Sequence, residues 1–403
     1  MPFTTAAEQI QPDLVELRRA LHREPELGLD LPLTQRKILA ALDGLPLEIS
    51  TGRSLTSVVA VLRGGRPGPA VLLRGDMDGL PVTEDSGVDY ESTIPGVMQA
   101  CGHDLHVTML VGAARLLSAV RDDLAGDVVF MFQPGEEGQG GAMAMIDEGV
   151  LDAAGARAIG AYGIHVTTNV PQGVFRTRPG ILQAAVDEIL VRVVGRGGHG
   201  SAPHEALDPI PAACEMVTAL QAMVTRRFNI FDPVVVTVGS FHAGTKSNII
   251  PDDARFDVTL RTFSAASRET MRTETVRLIE SIAAAHGLRA EVDYEPGYPP
   301  TVNDADEMAF ARDTITEVFG AERFEAMADP IAGAEDFSYV LERVPGCFIF
   351  YGTPAEGADP ATTASNHSAH AVFDDKWLGD GAALLAELAS RKLAASAGEV
   401  PQD

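Results

Sequence analysis

Apolar residues recur at three- and four-residue spacing over 14–21 and 35–42, a pattern that predicts two helices. Compact apolar runs at 57–62 and 70–74 predict strands, 107–120 a helix, 128–132 a buried strand, 142–148 a short helix and 158–166 a further strand. Strands alternating with helices predict an α/β fold built on a layered sheet. The stretch 187–294 has an order of its own: strand 188–194, helix 209–225, strands 234–241 and 254–262, helix 267–285, strand 289–294. That βαββαβ order matches a ferredoxin-like sandwich and fits an inserted domain. A helix at 305–319, a strand at 347–351 and a last helix at 376–395 return to the first sheet. The expected division is 1–186 with 295–403 as one domain and 187–294 as the other.

Composition narrows the classes. The chain has 403 residues, 45% hydrophobic and 22% charged, enough for a sizeable core. Its 57 acidic against 31 basic residues give a net charge of −26, a field that repels nucleic acid and acidic membrane surfaces. Apolar runs are strand-sized, well short of the roughly 18 residues of a membrane span. Glu8, Asp13, Glu16, Arg18 and Arg19 interrupt the start where a secretory leader needs an apolar centre, so the N-terminus reads as unprocessed and the protein as cytoplasmic. Three cysteines, Cys101, Cys214 and Cys347, are too few and scattered for a disulfide framework.

Candidate chemistry gathers in four places. In Gln99-Ala100-Cys101-Gly102-His103-Asp104-Leu105-His106 a thiol, two imidazoles and a carboxylate fall just before a helix, and Cys101 and His103 can aim at one side as metal ligands. Asp104 can support a ligand from behind or cap the helix. Gln133-Pro134-Gly135-Glu136-Glu137-Gly138 sets two carboxylates at a strand end, either a solvated acidic turn or a pair in which one binds a cation and the other handles a proton. His165 ends a strand, and His367 lies in Asn366-His367-Ser368. Together Cys101, His103, Glu137, His165 and His367 supply one thiolate, one carboxylate and three imidazoles, enough for two cations sharing a ligand. Asp76 and Asp78, after another strand, can orient a ligating imidazole. His22, His242, His286 and His370 read as ordinary satisfied or surface histidines. Gly195-Arg196-Gly197-Gly198-His199-Gly200 spells a dinucleotide-binding fingerprint, but Pro203 delays the next helix and no acidic residue ends the next strand, so the context fails for a nicotinamide cofactor.

These motifs, with Leu21 to Gly28, Arg74 to Pro81, Gly197 to His204, Asn248 to Pro251 and Glu335 to Ser338, resemble the M20 metallopeptidase and aminoacylase superfamily nearly end to end. The likeness is nearest to its amidohydrolase branch of N-acyl-amino-acid, hippurate and auxin-conjugate hydrolases. The resemblance implies a zinc-peptidase-like catalytic domain, with a mixed sheet between helices, interrupted by a lid domain that dimerises. It implies two divalent cations bridged by Cys101, with His103, Glu137, His165 and His367 completing the set. Glu136 is then the general base. His199 on the lid reaches the substrate carbonyl, often in the partner subunit's site, and Asn248 and Arg261 hold substrate polar groups. Gln99 and Gly135 depart from the branch's usual histidine and alanine, at positions that are not ligands.

The implied reaction is hydrolysis of an N-acyl amino acid by an activated water. Thiolate and imidazole donors favour Zn, with Mn, Co or Ni as alternatives. The implied assembly is a homodimer through the lid, extending to a tetramer as the further option. A dipeptidase or N-carbamoyl hydrolase would use the same metals and base, and a non-catalytic metabolite-binding relative is the rival of a different class.

Overall fold

The computed structural model describes residues 3–397 and divides into two compact units. The first comprises residues up to Leu182, Val302–Asp329 and the chain from Asp336 onward; the second is Gln183–Thr301 with Pro330–Glu335.

The first unit opens with helices α1 (Phe3–Arg23) and α2 (Pro32–Leu42), followed by strands β1 (Leu47–Thr51), β2 (Val58–Leu62) and β3 (Arg66–Asp76). Next come α3 (His103–Ser118), β4 (Ala125–Gln133), α4 (Gly141–Asp147), β5 (Gly160–Thr167), β6 (Phe175–Thr177) and β7 (Gly180–Gln183). The second unit holds β8 (Ala185–Val194), β9 (Gly198–His199), α5 (Pro209–Arg227), β10 (Val234–Ala243), β11 (Ile249–Ile250), β12 (Asp253–Thr262), α6 (Ala265–Ala285) and β13 (Arg289–Pro296). The chain closes with β14 (Thr301–Asn303), α7 (Ala305–Phe319), β15 (Phe324–Ala326), α8 (Ser338–Leu341), β16 (Gly346–Gly352) and α9 (Leu378–Ala397).

A mixed eight-stranded sheet, ordered β1-β2-β4-β3-β5-β16-β6-β15, carries the first unit. Its central strands are apolar on both faces, as a sheet covered on both sides requires. On one face Val71, Leu73, Val128 and Phe130 pack against α3 and α9, which α1 covers in turn; on the other Leu72, Val129 and Met131 pack with Met145, Phe337 and Val340. The strands β4, β3, β5 and β16 run parallel, so their C-terminal ends finish together. Asp76 lies opposite Gln133 and His165 opposite Phe350, which sets the loops after these strands along one edge. Crevices of this kind are where layered sheets build sites.

In the second unit an antiparallel sheet, ordered β10-β12-β8-β13, shows the alternation of one buried and one solvated face. Its buried face, with Ile189, Val191, Val193, Phe256 and Val258, packs against Met216 and Leu220 of α5 and Ile279 of α6. Where this chain segment begins and ends, buried Asp187 accepts hydrogen bonds from Arg268, the Tyr294 hydroxyl (2.6 Å) and the Gly297 N–H (3.1 Å). Among the described residues no helix is long and apolar enough to cross a membrane.

Candidate metal centre

The ligating candidates sit where strands end and helices begin, with His367 on the stretch between β16 and α9. Helix α3 begins at His103 because Gly102 turns the chain in the left-handed region (φ 82°), where a Cβ would come within 2.4 Å of Val166. That turn puts Cys101 at the mouth and His103 in the first helical turn, both buried. Asp104 does not cap the helix: the residue before it is Gly102, with no side-chain cap. The Asp104 carboxylate instead meets Arg18 Nε (2.8 Å) and His22 Nδ1 (2.8 Å), and neither partner belongs to the donor set. His22 is a buried, satisfied histidine, also 3.0 Å from Glu84.

At the end of β5 the His165 ring donates from Nδ1 to the Val166 carbonyl (2.8 Å), which fixes its tautomer. Its free Nε2 lies 3.4 Å from Cys101 Sγ. His367 approaches the same sulfur from the far side, Nε2 at 3.3 Å, and stands 3.4 Å from Glu137 Oε1. Among the described residues His367 is the single non-glycine residue with positive φ (70°). Such strain costs of order 1–3 kcal/mol and clusters at functional sites.

Two donor groups thus meet at one sulfur. Cys101, His103 and His165 form one and Cys101, Glu137 and His367 the other, the donor atoms of each lying within 4.8 Å of one another. His103, Glu136 and Glu137 satisfy the same distance, which puts the Glu136 carboxylate beside both groups. Asp78 anchors that turn by accepting the Glu136 and Glu137 N–H groups (3.0 and 3.1 Å), and its Oδ1 lies 3.5 Å from His103 Nδ1. Asp76 takes His106 Nδ1 (2.5 Å) and Arg74 Nη1 (2.5 Å) and lies 3.5 Å from His103 Nε2.

The donors fit a cation. With His103 Nδ1 turned to Asp78 (3.5 Å), its Nε2 and Oε1 of Glu137 are buried without a hydrogen-bond partner, an arrangement that is costly unless something positive binds there. Burial pushes the Cys101 thiol up to about 12, against the pull of His103. Burial, with the Asp78 and Asp76 carboxylates adding to it and His103 opposing, pushes Glu137 up to about 7. Burial holds His165 well below the ordinary imidazole range and lowers His367, so both present neutral lone pairs. A divalent ion reverses the first two effects by favouring thiolate and carboxylate. The Asp76 carboxylate is itself held well below its usual range: burial opposes its charge, but Arg74, His103 and His106 outweigh it.

His106, part of the sequence constellation without an assigned role, has both nitrogens engaged. Nδ1 faces Asp76 and Nε2 accepts the Val166 N–H (2.8 Å), so this ring braces β5 beside His165. A second brace escaped the sequence reading. Arg74, buried, donates to Gln133 (3.0 Å), Asp76 and Asp336 (3.2 Å), tying the ends of β3 and β4 to the loop before α8. Only the charged residues inside apolar strands hinted at it.

The remaining candidates lie on the second unit. His199 is exposed on β9, opposite Ile249 of β11. Its Nδ1 accepts the Ser201 N–H (3.1 Å), which leaves the proton of the neutral ring on Nε2. Exposed Asn248 adjoins it, with its carbonyl accepting the Gly200 N–H (2.9 Å). Arg261 sits on β12 between Val235 and Val186; burial lowers its pKa while Glu188 opposes.

Comparison with known proteins identifies the family. Residues 72–391 match the model of peptidase family M20/M25/M40. The chain is 38% identical to thermostable carboxypeptidase 2 of Saccharolobus solfataricus, over 95% of this chain and 96% of that one. It is 36% identical to an N-acetyl-L-cysteine deacetylase of Bacillus subtilis, over 86% and 82% respectively. The crystal structure of the Bacillus subtilis YXEP protein, a dinuclear metal-binding peptidase of the M20 family, superposes with a TM-score of 0.82 at 31% identity, covering 96% of this chain and 99% of that one. The chain belongs to peptidase family M20/M25/M40, within its amidohydrolase branch, and is a metal-dependent hydrolase of amide bonds.

Proposed function

We propose that the protein cleaves the amide bond of N-acyl amino acids, releasing a carboxylate and a free amino acid. In this reading Cys101, His103 and His165 would hold one divalent cation, and Cys101, Glu137 and His367 a second. When bound, such ions supply Lewis acidity toward the amide carbonyl and make water acidic enough to ionise near neutral pH. The thiolate and imidazole donors suit Zn2+, with Mn2+, Co2+ or Ni2+ taking its place where supply decides.

Glu136 accepts the proton of the attacking water as its oxygen bonds the acyl carbon, then returns that proton to the nitrogen as the C–N bond breaks. Its neighbour Glu137 is committed to the cation, so the two carboxylates divide the work. His199 presents an Nε2–H from the second unit, suited to the developing oxyanion. Asn248 and Arg261 hold substrate polar groups, and the guanidinium suits the free carboxylate of the amino acid. Asp76 and Asp78 orient the donor shell from behind, as their distances to His103 suggest.

One observation carries the reading: a single buried sulfur shared by two donor groups, with a second carboxylate beside them. The similarity to a carboxypeptidase and to a deacetylase supports the leaving group, because both act on an amide whose nitrogen belongs to an amino acid. The carboxypeptidase keeps peptides as the second reading. Exposed Val235 and Phe241 on the edge strand β10 support a homodimer paired through the second unit, our proposed lid. The unpaired cysteines suit the reducing cytoplasm.

The test is hydrolysis of a library of N-acetyl, N-benzoyl and N-carbamoyl amino acids and dipeptides by metal-loaded protein, read as released amine. Turnover of N-acyl amino acids that depends on added metal is expected. Activity confined to dipeptides would move the assignment to a peptidase, and inactivity with every metal would remove it.

A further inference from the structure

The ligating candidates differ in how they are held. His103 lies in a buried helix and His165 on a central strand, but His367 lies on the irregular stretch between β16 and α9. Its side chain is 55% exposed and its backbone is in the left-handed region. Nothing in regular secondary structure holds it. Its own backbone contributes one link, the N–H donated to the Ala100 carbonyl (2.8 Å).

The neighbouring Asn366 supplies the rest. Its Nδ2 donates to the Val166 carbonyl (3.0 Å) and the Cys101 carbonyl (3.3 Å) and reaches Cys101 Sγ at 3.8 Å. Its Oδ1 accepts the Thr168 N–H at 3.4 Å, while the Thr168 hydroxyl donates to the Ala364 carbonyl (2.8 Å) on the same loop. One planar amide therefore spans three segments distant in sequence: the turn bearing Cys101, the strand end bearing His165, and the loop bearing His367. An asparagine has the donors for two carbonyls and the acceptor for one N–H; an aspartate of the same shape has no donor at all.

We propose that Asn366 is a positioning residue that sets the second cation position, the one served by Cys101, Glu137 and His367; this rests on the ligand reading above. The first position rests on α3, which holds His103, and on β5, which is paired on both sides with β3 and β16. The second depends on where His367 points. Losing the amide therefore weakens one position and spares the other, whereas a residue that only stabilises the fold would affect both or neither.

The experiment titrates metal-stripped full-length protein with Zn2+ alone, by equilibrium dialysis against buffered free Zn2+, with bound metal counted by mass spectrometry. Native protein should take up two ions per chain. Asn366→Asp should take up one at the free concentration that fills both in the native protein, the second binding about 10–100-fold more weakly. Asn366→Gln, which keeps the amide on a longer arm, should recover part of that loss. With Co2+, the thiolate charge-transfer absorption should persist in Asn366→Asp, because Cys101 still serves the first position. Should the added carboxylate prevent folding, Asn366→Ala removes the same bonds without new charge and should give the same single-ion result. Two ions retained at native affinity, or both lost in parallel, would overturn the proposal. Native protein that binds no Zn2+ would overturn the ligand reading itself, and this inference with it.

Discussion

At the scale of single residues, the sharpest division is between two adjacent carboxylates. Glu136 and Glu137 share an anchor, since both N–H groups donate to Asp78, yet Glu137 Oε1 stands 3.4 Å from His367 Nε2 within the shared-sulfur group. Removing one charge at a time should separate proton handling from binding. Glu136→Gln should lower kcat by about 10²–10⁴-fold with metal content intact, the size of a lost general base. Glu137→Gln should lose bound metal first. Steady-state kinetics beside metal counting decides this, and metal loss in the Glu136 variant would exchange the roles. The residue types were legible in the sequence because thiols and imidazoles are few in this chain, 3 cysteines and 10 histidines, and Glu136-Glu137 is its one Glu-Glu pair. Partners were not: Asp104 turns to Arg18 and His22, and His106 spends both nitrogens on Asp76 and Val166. Which neighbour a polar side chain meets depends on helix packing that spacing does not encode.

At the scale of elements, periodicity located the long pieces and missed the short ones. The βαββαβ order of β8 to β13 follows from clean alternation on a half-solvated sheet, with α7 at the expected 305–319. Helix α3 begins at His103 rather than 107, because its first turn buries His103, Asp104 and His106, polar residues that hide the apolar pattern. Strands of three or four residues, such as β6, β7 and β15, are too short to show any period. The turn between β4 and α4 shows how an element boundary positions chemistry. Gly141 donates to the Gly135 carbonyl (3.1 Å), and a Cβ there would fall 1.7 Å from the Pro134 carbonyl oxygen. That contact is with backbone, so Gly141→Ala must shift the turn that carries Glu136 and Glu137. The expected cost is about 1–3 kcal/mol by urea unfolding, together with weaker uptake of metal. Unchanged metal affinity would mean that the carboxylates are placed independently of this turn.

At the scale of the whole molecule, the donors join four remote stretches of one unit: Cys101 with His103, Glu136 with Glu137, His165, and His367. A ligand that binds only the folded arrangement stabilises it by mass action, about 2.7 kcal/mol for each site at a free concentration 100-fold above Kd. The second unit contains none of these donors and has its own core around Ile189, Val191, Phe256 and Met216. Chelation should therefore act on one unit and spare the other. Hydrogen exchange followed by mass spectrometry after removal of divalent ions should show faster exchange at 100–106, 134–138, 165–168 and 364–368. Amides of β8, β10, β12 and β13 should keep their protection. Because the units need not unfold together, thermal melting should show the metal-sensitive transition moving while another stays in place. Of the four stretches, 364–368 should respond most, since His367 has the exposed side chain and left-handed backbone while His103 and His165 are fixed by a helix and a strand. Equal deprotection of both units would show that the cations stabilise the chain globally rather than through a local donor shell.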